Sequence, residues 1–463
     1  MSKSLDGVTM IPPEKRARHD NEDSLSELPD CVLLHILSFL NSKYAVQTCV
    51  LSTRWRYLWK RIPTLILHSS KFSTMKRFAT FVTRILTRRD SSVTLHALDL
   101  QRMGIIETKL LKVILNYVCS HNTHIQRLGI DFTADSCPIM SCVSKCRALT
   151  SLKLSIHPTC YMTESLFPES LNVPLLTSLD LTHFTFCGGE NGCAEPFSAF
   201  TKLNSLVISN CKVKDAQILS ISSETLVDLI MHSFSFKFPK TKLSTPSLCT
   251  FTFTGRPVQK ICGNGLSSVR QVNIDAKDFP ALMEYALVLL TWLQELVRVE
   301  SLIVTSTTLQ VLSLVPDLLE VKFTTLCNLK SLEVELIPFH YDSLLYMEKA
   351  VLKKVAAKSR KEAAKLRKAF KAGLRPSPIP DGIVDFLLQN SPSAKVNITT
   401  AHPSSFNLNQ VEESVKGVKN ISYCSQFAAH ASPASAAESA SAAVPASAAK
   451  LEVKTHDIEM VIA

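Results

Sequence analysis

Cys137, Cys142 and Cys146 form the one cluster of thiols in the chain, with His121, His124 and His157 nearby in sequence. Metal chemistry at such a cluster would need paired C-x2-C knuckles or a Cys/His set at fixed spacing. Neither is present, so no metal is expected. The fourteen cysteines read as small buried hydrophobes. Hydrolytic and phosphoryl-transfer chemistry also lack a carrier. No G-x-x-x-x-G-K-[ST], G-x-S-x-G or H-E-x-x-H occurs, twelve glycines are few for a Gly-rich nucleotide-binding architecture, and the thirteen histidines are scattered. No cysteine stands in a motif that would activate it. The expectation is a non-enzymatic chain without a cofactor, whose function is binding.

Charge is the remaining chemical signal, and it is local. Eleven basic residues face only Glu348 and Glu362 between Glu348 and Arg375, a surplus of nine in a chain whose net charge is +11. The rest is close to neutral, so the basic character belongs to one segment. Leu344, Met347, Val351, Val355, Leu366 and Phe370 keep helical spacing there, with Ser359 and Ala363 in the gap, and Gly373 and Pro376 end the run. The spacing predicts one long helix with an apolar stripe packed on its neighbours and its lysines in water. A second basic cluster, Lys15 to Arg18, reads either as a nuclear address or as part of a solvated arm.

The stretch best suited to binding is Ser24 to Leu67. Leu28 and Pro29 open a helix in which Val32, Leu33, Ile36, Leu37 and Leu40 recur at three- and four-residue intervals as one stripe. A second helical run carries Val46, Cys49 and Val50, and a third carries Trp55, Leu58 and Trp59 before Pro63. Three short helices of about forty residues bury too little surface to be robust alone, yet these are crowded with large apolar side chains. Some of them need a partner. The pattern LPDCVLLHILSFL followed by VLSTRWRYLW resembles an F-box of the plant type. The resemblance implies binding to the Skp-type adaptor of a cullin-RING ubiquitin ligase, with Leu28, Pro29, Ile36, Leu37, Leu40, Val50, Leu51, Ser52, Trp55 and Trp59 at family-typical positions.

Behind this module, Leu65 to Leu67 predicts a strand and Phe72 to Leu86 a helix whose Phe78, Phe81, Val82, Ile85 and Leu86 share a side. From Leu95 an L-x-x-L-x-L phrase recurs ten times, from Leu95-Leu98-Leu100 to Leu329-Leu332-Val334, in steps of 21 to 30 residues. That period fits leucine-rich repeats. Each copy cannot bury its apolar face alone, so neighbours should stack into a solenoid with a parallel sheet on its concave side. The steps vary and the asparagine ladder is incomplete, with Asn210 one clear member, so the curve should be irregular. Residues flanking the inward pair of each strand should form the concave surface. Val207, Ile230 and Thr252 are the expected target contacts there.

The apolar window Phe279 to Val297 contains Glu284 and Glu295 and reads as a buried helix rather than a membrane span. No apolar run follows Met1, so the chain reads as soluble and intracellular, in nucleus and/or cytoplasm. Cys327 to Ile398, with the LLQNSP run from Leu387, resembles the FBD-type ending that follows such repeats, the basic helix being an insertion in it. The expected organisation is a disordered basic arm (1–23), the F-box (24–67), the solenoid (68–340), an FBD-like region (341–400) and a low-complexity, mostly disordered tail (401–463). In fold class this is α/β, a three-helix F-box followed by an irregular leucine-rich-repeat solenoid with a parallel sheet. The functional expectation is a non-catalytic substrate receptor of a ubiquitin ligase, holding an unknown target protein, with neither nucleic acid nor a membrane among its expected partners. The alternative is a nuclear nucleic-acid-binding or scaffold protein that uses the basic helix.

Overall fold

The computed structural model of the chain describes residues 28–425, apart from 160–162, 190, 234–239, 278–281, 323, 339–340, 403–404, 407 and 419. Lys15 to Arg18 and the Ala/Ser/Pro-rich stretch past Gln426 lie outside the described residues.

All ten apolar triplets become strands of one 13-stranded sheet, in which strand order follows chain order and every neighbour pair is parallel. The strands are β1 (Thr64–His68), β2 (Ala97–Ile105), β3 (Arg127–Thr133), β4 (Ser151–His157), β5 (Ser178–Thr182), β6 (Ser205–Ser209), β7 (Asp228–Ser233), β8 (Thr250–Gly255), β9 (Gln271–Ala276), β10 (Ser301–Thr305), β11 (Ser331–Leu336), β12 (Lys395–Thr400) and β13 (Ile421–Ser425). Within each triplet the last two apolar residues point inward and the first closes the core behind them; Leu203, Leu206 and Ile208 are all fully buried. The intervening residues face out because side chains alternate along a strand, and β6, β7 and β8 each alternate half-buried with buried positions.

What returns the chain between strands differs from repeat to repeat. The helices are α1 (Asp30–Ser38), α2 (Ser42–Gln47), α3 (Met75–Arg88), α4 (Thr108–Ser120), α5 (Ser136–Val143), α6 (Leu282–Glu295), α7 (Ser306–Leu312), α8 (Tyr341–Lys358), α9 (Arg360–Lys371), α10 (Ile383–Leu388) and α11 (Leu408–Ser414). The three 30-residue steps carry α4, α6 and α7. The 24-residue step carries α5, whereas short strands stand in the 27-residue steps and in those of 23, 22 and 21 residues, where 218–222, 240–244 and 260–263 pair in parallel in a second sheet. Asn210 turns the chain after β6 in the left-handed region at φ 51°, and His183 does so after β5 at φ 65°. Asparagine is among the few side chains that tolerate this conformation, whereas histidine takes it less often. Gly255, at φ 122°, lies so close to the Ser233 carbonyl that a Cβ would overlap it.

Two expectations are corrected. The long basic helix is an antiparallel pair, α8 and α9, broken at Ser359, which leaves helical geometry (φ −150°, ψ 111°) and caps α9 by accepting from the Glu362 amide at 3.3 Å. The fold back brings Arg375 Nη1 to 3.2 Å from Glu348 Oε1. A capping serine followed three residues later by glutamate is a helix start, and it interrupts an otherwise continuous apolar stripe. The second correction concerns residue 400, which does not begin a featureless tail. α11 buries Val411, and β13 adds a thirteenth strand on β12. The FBD-like segment therefore continues the solenoid: β12 pairs with β11, while Asn390 Nδ2 donates to the Thr325 carbonyl (2.8 Å) and Ser391 Oγ to that of Leu326 (2.7 Å).

Candidate docking sites

At the N-terminal module the structure separates residues that the sequence groups together. On α1, Leu33 and Leu37 point into the core, whereas Val32 and Ile36, with Phe39 and Leu40 just past its end, form a second, exposed apolar stripe. Adjacent residues on a helix are about 100° apart, so Val32 and Leu33 cannot share a face. The expected single stripe is two. α2 ends at Gln47 and continues as a 3₁₀ turn to Val50, and the third run is 3₁₀ throughout, Trp55–Arg61. The three-residue interval between Trp55 and Leu58 suits that tighter helix.

Of the ten residues expected to meet an adaptor, Pro29, Ile36, Leu40, Val50, Leu51 and Ser52 are exposed, and Leu28 is half-buried. Leu37, Trp55 and Trp59 are interior, at 1, 6 and 2% exposure. These three reach a partner only through what they position, because they pack into the core that runs on into Leu65, Leu67 and Phe78. Sequence reasoning omitted Phe39, Tyr44 and Tyr57, exposed at 70, 44 and 57%. The signal was α1 itself, which is apolar on more than one side; a surface helix with a single buried face carries one stripe.

Polar contacts fix the module. Arg54 donates to Asp30 Oδ1 through Nη2 (2.8 Å) and Nε (3.0 Å) and also to the Leu28 carbonyl, tying the third turn to the start of α1. Asn41 Oδ1 caps α2 by accepting from the Lys43 amide (3.1 Å), and Ser42 Oγ accepts from the Ile66 amide of β1 (3.0 Å). Lys43 Nζ donates to the Lys71 carbonyl at 2.6 Å; burial, with Arg77 nearby, holds its ammonium below the ordinary lysine value.

The F-box domain family matches residues 25–67. Among curated proteins, an F-box/LRR-repeat protein of Arabidopsis thaliana is 30% identical over 282 residues, which cover 57% of this chain and 71% of that protein. This chain belongs to the F-box/LRR-repeat family. F-box/LRR-repeat protein 13 of the same plant is 29% identical over 240 residues, 46% of this chain and 48% of that protein. An FBD-associated F-box protein from it is 34% identical over 178 residues, 36% of each. The match to F-box/LRR-repeat protein 13 thus spans about half of that relative.

In the repeats of this F-box/LRR chain, Val207, Ile230 and Thr252 are direct neighbours across β6, β7 and β8. All three are half-buried on the face of the sheet that points away from the core. The same row continues through Asp180 on one side and Asn273 on the other. The face is more charged than its central strands suggest. Lys153 Nζ lies 3.5 Å from Asp180 Oδ2, His68 Nε2 2.9 Å from Asp99 Oδ2, and the rings of His157 and His183 meet at a tilt with centroids 4.4 Å apart. Burial pushes the Asp180 carboxyl up and holds His183 and His232 below the ordinary imidazole value.

The cysteine cluster differs from the one expected. Cys137 is exposed, and the thiol 3.1 Å from Cys142 Sγ is that of Cys119, on α4. Among the described residues no group of three or more His, Cys, Asp or Glu side chains is placed to hold a metal ion. No helix among them is long and apolar enough to cross a membrane.

Proposed function

We propose that this chain is a non-catalytic substrate receptor of an SCF-type cullin-RING ubiquitin ligase. Its F-box docks to a Skp-type adaptor, and its concave sheet holds a target protein. The observation that carries the reading is the exposed stripe Val32, Ile36, Phe39 and Leu40, joined by Val50 and Leu51 from the next turns. Several large apolar groups left in water on a small polar-rimmed subdomain mark a protein interface. Tethering then does the work of catalysis, since a target held beside the transfer machinery meets it at high effective concentration.

Target capture is assigned to the row Val207, Ile230 and Thr252, where two aliphatic groups stand among Ser205, Ser209, Thr250 and Thr254. The test is co-purification. Leu28→Ala with Pro29→Ala should abolish recovery of the Skp-type protein while the chain stays folded, and adaptor recovered at wild-type level would refute the reading. Deleting the F-box is a poor substitute, because Trp59 and Leu58 share a core with Leu65 and Phe78.

A further inference from the structure

The α8–α9 hairpin spends few of its cations on the fold. Lys354 donates to the Ser313 carbonyl, Lys358 Nζ meets Asp317 Oδ1 at 2.6 Å, and Arg375 pairs with Glu348. The first two tie the turn end of the hairpin to the segment after α7, and the third closes its open end on itself. On α9, Arg360, Lys361, Lys365, Arg367, Lys368 and Lys371 are all exposed, and none has a carboxylate partner among the described residues. Glu362 is the sole acid of that helix.

At 100° per residue, Lys361, Lys365 and Lys368 fall on one stripe, and Arg360, Arg367 and Lys371 on the stripe beside it. The large apolar residues of α9, Leu366 and Phe370, are half-buried on the other side, with Ala363 buried on the same side one turn earlier. Like charges at i,i+4, as in Lys361/Lys365 and Arg367/Lys371, each destabilise a helix by a few tenths of a kcal/mol. A face built this way is relieved by a counter-charge of comparable density.

We infer that the outward face of α9 is a docking surface for the phosphate backbone of a nucleic acid. Arg360 to Lys371 spans about 16 Å of helix, and duplex DNA offers one negative charge per roughly 1.7 Å of its axis. Six cations over that length meet an excess of phosphates. A membrane surface fits less well, since an interfacial helix sinks large apolar groups between its cations, and those of α9 face inward. An acidic protein would find no apolar anchor on this face. Contacts of this kind position a backbone without reading bases, so the surface binds without sequence preference.

The experiment is a titration of the full chain with a labelled duplex of about 20 base pairs, between about 50 and 200 mM salt. With six phosphate contacts, log K should fall against log salt with a slope of about −5. Lys361→Gln with Lys365→Gln and Lys368→Gln should remove about three units of slope and weaken binding at least tenfold at the lowest salt. Lys76→Gln with Lys109→Gln and Lys112→Gln removes the same charge from exposed sites on α3 and α4 and should leave binding intact. The inference is overturned by no binding at the lowest salt, by equal loss in both triple variants, or by phosphatidylserine vesicles displacing the duplex at equal charge. Leu28→Ala with Pro29→Ala leaves the duplex titration unchanged, so failure of adaptor docking and failure of this inference are read separately.

Discussion

Ile36 and Leu37 are adjacent aliphatic residues on one helix, yet Ile36 lies in water and Leu37 in the core. The motif names both, and only the fold tells which one a partner can touch. Trp59 is the sharper case. Buried at 2%, with an Nε1 that finds no partner among the described residues, it holds the F-box to β1. Trp59→Ala should cost roughly 3–5 kcal/mol through lost burial and a cavity, whereas Ile36→Ala should stay within about 0.5 kcal/mol; chemical denaturation distinguishes them. The histidines of the concave face give a pH dependence. His232 faces Asp180, Asp275 and Lys277, and His183 faces His157, Lys212 and Asp131. Burial holds both imidazoles below 6.5, so the unfolded chain binds more protons in the window beneath that value. Their contribution is present above 6.5 and is lost as pH falls through the window. Asp180, whose carboxyl is raised from 3.8 by burial, has the opposite sign: its contribution is present below 3.8 and lost as pH rises through the folded value. Melting temperature should therefore drop from about pH 7.5 to about 5.5, and His183→Asn with His232→Gln should flatten the drop. An unchanged profile would place the titration elsewhere.

The ten triplets were legible because a buried parallel strand and its closing residue need the same apolar types at the same spacing in every copy. What returns the chain was not legible from the triplets, since their steps constrain length and not conformation. β13 escaped notice for a related reason: Ile421 to Ser425 reads ISYCS, and its Ile421 is half-buried while Tyr423 is exposed, so no apolar pair marks it. The α8–α9 break was written in Ser359 and Glu362, but the continuing apolar spacing masked it. Ser359→Ala removes the cap and should cost α9 about 0.5–2 kcal/mol. Amide exchange at Glu362 should speed up while the amides of β11 and β12 stay protected. Loss of protection in the strands as well would mean that the hairpin holds the sheet together.

One hydrophobic core runs from Leu33 on α1 to Val415 after α11, and β1 is at once the end of the F-box and the first strand of the sheet. The F-box and the outward face of the sheet are therefore parts of one packed body, which is what the proposed receptor role requires. The concave row could be located from the repeat pattern, since strand alternation fixes which residues face out; its charged flank, Lys153, Asp180 and the histidines, could not, because partners from different repeats meet only in the folded sheet. Val207→Glu with Ile230→Glu should abolish target recovery while adaptor binding and soluble expression persist. Unaltered target recovery would move capture to the loops or the C-terminal strands.

Calorimetric titration of the purified chain with a Skp-type adaptor tests the central claim most directly. Ile36→Glu with Leu51→Glu places two charges in the exposed apolar patch without touching the core. The account predicts that this variant melts like the wild type, gives no heat of binding, and contrasts with a wild-type chain whose affinity changes little with salt. Equal adaptor binding by the variant and the wild type would contradict it.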